Sequence, residues 1–154
     1  MMRLALYQPD IPQNTGTIMR LCACMGVALD IIEPCGFIMN EKKLRRAAMD
    51  YIDDLDFNRY PDWDTFYQKR VLSASNTRLV LMTTKASDYY HEFSFSENDI
   101  LLAGQESAGV PDHIHDVADG RILIPMKGKS RSLNVAVSCA MVLGEGLRQV
   151  GGLS

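Results

Sequence analysis

Three short segments of this chain carry residue types that serve packing poorly and chemistry well. The first runs from Pro12-Gln13-Asn14-Thr15-Gly16 to Arg20, joining a side-chain amide, a glycine and a guanidinium. The second, Gly104-Gln105-Glu106-Ser107-Ala108-Gly109, places a carboxylate between glycines that let backbone approach a ligand closely. The third, Ile124-Pro125-Met126 through Lys127, Lys129 and Arg131 to Ser132-Leu133-Asn134, leads from an apolar run into a helical one. Its backbone N–H and C=O groups suit an adenine and a ribose. A guanidinium stays protonated in proteins, so Arg20 is a poor proton acceptor. Each segment also has a plain structural reading: a solvated arginine, a glycine-stabilised turn with Glu106 exposed, and Ser132 as a helix N-cap. The second is no phosphate-binding P-loop, because Gly109 is followed by Val110-Pro111 rather than Lys-Ser/Thr.

The elements between these segments decide whether they can meet. Leu4-Ala5-Leu6-Tyr7 predicts a strand stopped by Pro9 and Pro12, and Asn14 or Thr15 caps the helix that follows. Its apolar stripe of Ile18, Leu21, Cys22 and Met25 has helical spacing, excludes Arg20 and stops at Gly26. Leu29 to Ile32 is a second strand. A helix over 41–50 follows, with Leu44, Ala47, Ala48 and Tyr51 on its apolar side. A weak strand near Leu55-Asp56-Phe57 precedes a helical stretch over 63–72. Further strands lie at 78–82, 100–103 and 121–125. The last helix begins near Ser132 and carries Val135, Cys139, Val142, Leu143 and Leu147. Such β–α alternation predicts a mainly parallel sheet with helices on both faces, in one domain over 1–154. Ligands of open α/β sheets sit beyond the carboxyl ends of strands, which is where all three segments fall.

The chain has 154 residues, nearly half of them hydrophobic, and a formal net charge of −3. That charge does not mark a nucleic-acid binder, so RNA binding would need a local basic patch. Lys42, Lys43, Arg45 and Arg46 on one helix supply a candidate, and Lys127, Lys129 and Arg131 a second. Cys22, Cys24, Cys35 and Cys139 lack zinc-ligand spacing and are expected as free, reduced thiols. His91, His113 and His115 form no metal set; His113 and His115 are expected in a solvated acidic loop, and no metal is expected. Tyr89-Tyr90 offers an aromatic face for a base or for packing. Neither a secretory leader nor a membrane span of roughly 20 apolar residues is legible, so a cytoplasmic protein is expected.

Together and in this order, the three segments resemble the signature motifs of the SPOUT methyltransferases. The pattern is similar to the bacterial tRNA (cytidine/uridine-2′-O)-methyltransferases that modify the wobble nucleotide. Leu-Tyr-Gln-Pro-Asp-Ile-Pro-Gln-Asn-Thr-Gly, Ile-Ile-Glu-Pro-Cys-Gly-Phe, Leu-Arg-Arg-Ala-Ala-Met-Asp-Tyr and Thr-Thr-Lys extend the likeness over nearly the whole chain. One departure is Val137, where the wobble subgroup often has a second Asn after Asn134. The resemblance implies a C-terminal trefoil knot whose loops hold S-adenosylmethionine, with contacts at Met82, Gly104, Ile124 and Ser132, then Leu133 and Asn134. It implies Arg20 as the main catalytic residue, with Asn14 and Glu106 positioning it or the ribose. It also implies a tRNA substrate, held by Lys42, Lys43, Arg45 and Arg46, and a homodimer sharing its active site through the knot helices. Two other readings stand beside it: a 2′-O-methyltransferase of rRNA or another tRNA position, and a non-catalytic nucleotide-binding module.

Overall fold

The computed structural model describes residues 1–47, 51–129 and 132–154. In chain order the strands are β1 (Arg3–Tyr7), β2 (Ala28–Ile32), β3 (Phe57–Tyr60), β4 (Arg78–Met82), β5 (Asp88–Tyr89), β6 (Asp99–Ala103) and β7 (Gly120–Leu123). The helices are α1 (Pro12–Met25), α2 (Glu41–Ala47), α3 (Trp63–Phe66), α4 (Asp112–Val117) and α5 (Val135–Val150). The strands form one sheet in the order β3-β2-β1-β6-β4-β7-β5, and every pairing is parallel.

Side chains alternate across the pleat, and both faces are buried. Leu4, Leu6, Leu29, Ile31, Val80, Leu101 and Ala103 join one core with Ile18, Met19 and Cys22 of α1 and Cys139, Val142 and Leu143 of α5. Ala5, Tyr7, Leu79, Leu81, Ile100 and Leu102 join the opposite core with Trp63 and Phe66 of α3 and Ile114 of α4. The α/β architecture with helices on both faces is therefore as expected. No helix among the described residues is long and apolar enough to cross a membrane.

Several expectations are corrected. Helix α1 starts earlier than Asn14, with Ile11 at its N-cap and Pro12 just inside, where a missing N–H costs nothing. Asn134, not Ser132, caps α5: its Oδ1 accepts from Ala136 N at 2.8 Å and Val137 N at 3.3 Å. The weak strand near Leu55 sits further on, at β3. The helical stretch after Asp62 changes winding from α3 into a π-type segment, Tyr67–Leu72. His113 and His115 lie on α4 rather than in a loop, since Pro111 starts a turn that Ile114 anchors in the core. Strand β5 is not legible in the sequence, being two residues long and held by β7 alone. Ala48 and the rest of 48–50 in the expected 41–50 helix lie outside the described residues, as do Ser130 and Arg131.

Candidate active site

Consecutive strands diverge from β1: β2 and β3 lie on one side, β6, β4 and β7 on the other. Such a switch point opens a crevice beyond the carboxyl ends of the strands. A cleft of about 520 Å³ occupies that position, within the usual range for small-molecule sites. Met82 at the end of β4, Gly104 after β6, Ile124 after β7 and Ser132-Leu133 before α5 all line it, with Glu106. Five of the six expected cofactor contacts thus converge from segments far apart in sequence. Asn134, the sixth, is not among the lining residues; its side chain caps α5 instead.

The loop after β6 has its shape because of two glycines. Gln105 N donates to Gly109 O and Gly109 N to Gln105 O, both at 2.9 Å, which folds the loop back on itself. A Cβ on Gly104 would lie 2.6 Å from the Gly109 carbonyl carbon, and Gly109 has φ +65°. Only glycine suits both positions. The resulting hairpin carries Glu106 at the edge of the cleft.

Glu106 is the hub of a polar network joining the three segments. Its Oε2 accepts from Asp10 N at 3.1 Å and its Oε1 from Asn14 Nδ2 at 3.5 Å. Asn14 Oδ1 in turn accepts from Asn134 Nδ2 at 2.9 Å. Asp10 replies to Glu106: its Oδ1 accepts from Glu106 N at 3.2 Å and its Oδ2 from the Ser107 hydroxyl. Burial, then the Asp10 carboxylate, raises the Glu106 pKa above the ordinary carboxylate value. The hydrogen bond with Glu106, then that from Ser107, lowers Asp10. Of the two, Glu106 therefore takes up a proton first as the pH falls.

Asn14 and Glu106 are brought together as expected, and Arg20 is not part of the cleft wall. It lies exposed on α1, ~9 Å along the helix axis beyond Asn14 at 1.5 Å per residue. Lys42, Lys43 and Arg46 are exposed on α2, away from the cleft lining, and the side chain of Arg45 lies outside the described ones. Asn40 Oδ1 caps that helix through Lys42 N and Lys43 N. Leu44 buries its other side. Cys22 and Cys139 are buried free thiols, and burial pushes Cys22 up to about 12.

Sequence reasoning gave no role to Asp10, Thr83, Thr84, Lys85, Asp112 or His115. The last five line the cleft. A signal existed for Asp10, a carboxylate between two prolines at the end of a strand. None existed for His115, which reaches the cleft only because α4 folds beneath it.

A doubly covered parallel sheet with a cleft at its switch point defines an open α/β protein whose cleft lies where such sheets hold their ligands. Residues 1–144 match the SpoU rRNA Methylase family, and the chain belongs to it. It is 54% identical over 151 residues to a tRNA (cytidine(34)-2′-O)-methyltransferase of Beijerinckia indica, covering 98% of this chain and 93% of that one. A solved structure concerned with 2-OH methylation of C/U34 on tRNA superposes with a TM-score of 0.91 at 35% identity, covering 99% and 97% of the two chains. An AdoMet-bound rRNA methyltransferase from Sinorhizobium meliloti superposes with a TM-score of 0.85 at 25% identity. The match spans 96% of this chain and 56% of that one.

Proposed function

We propose that this protein transfers a methyl group from S-adenosylmethionine to the ribose 2′-hydroxyl of the wobble nucleotide of tRNA, a cytidine or a modified uridine. The observation that carries the reading is the cleft at the switch point, where Met82, Gly104, Ile124, Ser132 and Leu133 converge in a chain whose full-length relative bears that activity.

The cleft suits the cofactor. Apolar walls from Leu81, Ala103, Ile122 and Val142 match an adenine ring, and the strand ends at Met82, Gly104 and Ile124 offer backbone groups to its polar edge. Glu106 and Asp112 supply acceptors beside a cationic ligand. When bound, the cofactor supplies an electrophilic methyl group. The chain's own residues align the ribose oxygen and stabilise the charge that grows as its proton leaves. Alignment is a large contribution, up to ~7–11 kcal/mol in ideal intramolecular cases. Asn14 and Glu106, fixed by their shared network, position the ribose. Arg20 stabilises the oxyanion.

Arg20 projects from α1 rather than from the cleft wall, which favours a site shared between two copies. Leu133, Val137 and Met141 are 41%, 48% and 37% exposed, an apolar strip along the start of α5 suited to a homodimer interface. The carboxyl-terminal part is threaded as a trefoil knot, in keeping with α5 returning to pack on α1 and β6. Lys42, Lys43, Arg45 and Arg46 bind tRNA phosphates, with Lys127 and Lys129 nearer the cleft. The protein works in the cytoplasm, where its substrate is, and needs no metal.

Incubation with labelled cofactor and bulk tRNA, followed by nucleoside mass spectrometry, tests this. The expected product is 2′-O-methylation at the first anticodon position. In Arg20→Ala, transfer falls by roughly 100-fold or more, as when a group stabilising an oxyanion is removed, while calorimetric cofactor affinity stays unchanged. Label at another position would redirect the substrate, and near-normal turnover would remove Arg20 from the reaction.

A further inference from the structure

Besides Asn14, a residue just before the first segment, to which the function above gives no role, also ties that end of the chain to the second segment. Asp10 lies in the turn between β1 and α1. It meets the loop after β6 through three bonds: its amide to Glu106 Oε2, its Oδ1 from Glu106 N, and its Oδ2 from Ser107. Backbone and side chain exchange reciprocally across a sequence separation of 96. Behind Asp10 there is no room to retreat, because a Cβ on Gly36 would lie 2.6 Å from the Asp10 Cβ. Gly36 N is itself bonded to Pro9 O at 2.9 Å. Asp10 is thus wedged between the turn after β2 and the loop that carries Glu106.

We propose that Asp10 is a positioning residue of the methyl-transfer site. By clasping Glu106 it fixes the β1–α1 loop and, through Asn14 and Asn134, the amino end of α5 against the cofactor cleft. The proposal rests on the reading of that cleft as a methyltransferase site. Because Asp10 does not line the cleft, its effect passes through Glu106 and Asn14. Misplacing those groups by about 1 Å is enough to slow an aligned reaction on the order of 100-fold.

A carboxyl facing a carboxylate also makes the clasp sensitive to protonation. Among the described residues, the thiols of Cys35 and Cys139 also act on Glu106, and Lys85, Asp112 and His115 share the cleft with it. The three bonds of the clasp end on carboxylate oxygens and none needs a proton, so protonation enters through the singly protonated pair. It persists from below the ordinary Asp value, because Asp10 is lowered, to above the ordinary Glu value, because Glu106 is raised. Above that window two negative charges face each other.

Asp10→Ala and Asp10→Asn in the full-length protein test this. In Asp10→Ala, kcat should fall roughly 10–100-fold, with cofactor Kd by calorimetry and melting temperature little changed. Asp10→Asn should recover most of the loss, since the amide oxygen can still accept from Glu106 N while the amide NH2 donates to the Ser107 hydroxyl oxygen. It should also lower the Glu106 titration midpoint toward the ordinary value, read by NMR on 13C-labelled glutamate. That midpoint needs no turnover, so it tests the clasp even if wild type methylates no tRNA, which would sink the function and not the clasp. Equal loss in both variants with an unmoved midpoint, or full activity in Asp10→Ala, overturns the proposal.

Discussion

At the amino end of the sheet, Asp99 begins β6 beside Arg78, the first residue of β4. Arg78 grips it with Nε at 2.8 Å and Nη2 at 2.7 Å, while Ser96 N adds a third bond at 2.8 Å. Asp30, fully buried in β2, is held in the same forked way by Arg3 at 2.8 Å. At the carboxyl end, Glu33 is likewise held by Arg59, but the two acids beside the cleft are treated differently. Asp10 and Glu106 are met by backbone amides, an asparagine, a serine and each other. An arginine fork fixes a carboxylate in one charge state and one geometry, which suits a load-sharing joint between strands. Amide and hydroxyl donors satisfy oxygens without cancelling charge, so the charge state of the pair is set by the two carboxyls themselves, Asp10 lowered and Glu106 raised. The same residue type thus serves cohesion at one end of the sheet and chemistry at the other.

Three substitutions would break or sharpen that contrast. The largest effect is expected from Asp99→Ala, which removes the buried acceptor of two Arg78 bonds and one from Ser96 N, and costs about 3 kcal/mol of stability. Denaturant melts should show it, while cofactor affinity measured well below the melting temperature holds; an affinity that collapsed in step would erase the division between the two ends. Next is Gly104→Ala, whose new methyl meets the Gly109 carbonyl carbon. Overpacking of this kind costs about 1–3 kcal/mol. Here cofactor binding should fail before folding does, and a variant binding normally by calorimetry would show that the hairpin does not shape the cleft. The smallest loss of stability is expected from Asn134→Ala, about 1 kcal/mol for a lost N-cap. Its activity loss should be larger than that figure implies, because Asn134 also holds Asn14. Activity reduced only in proportion to stability would confine Asn134 to the capping of α5.

Much of this was legible beforehand because it depends on local spacing. The run Ile18, Cys22 and the stripe Val135, Cys139, Val142, Leu143 announce the buried faces of α1 and α5, since a helix brings every third and fourth residue to one side. The convergence of Met82, Gly104, Ile124, Ser132 and Leu133 on one cleft was legible through the motifs that contain them. Asn134 was legible as a site residue but not in its manner of action. Two residues beyond Ser132, it won the N-cap because the chain stays extended until Val135, which no propensity specifies.

The sequence by itself determined the α/β class, the buried stripes and the glycine turn after β6, because each is set by neighbours close along the chain. Only the tertiary structure decided which acids face arginines and which face each other. Strand order brings Asp10 to Glu106 and Asn14 to Asn134 across separations of 96 and 120 residues. Such meetings depend on how the sheet is assembled, and the spacing of residues along one element carries no record of it.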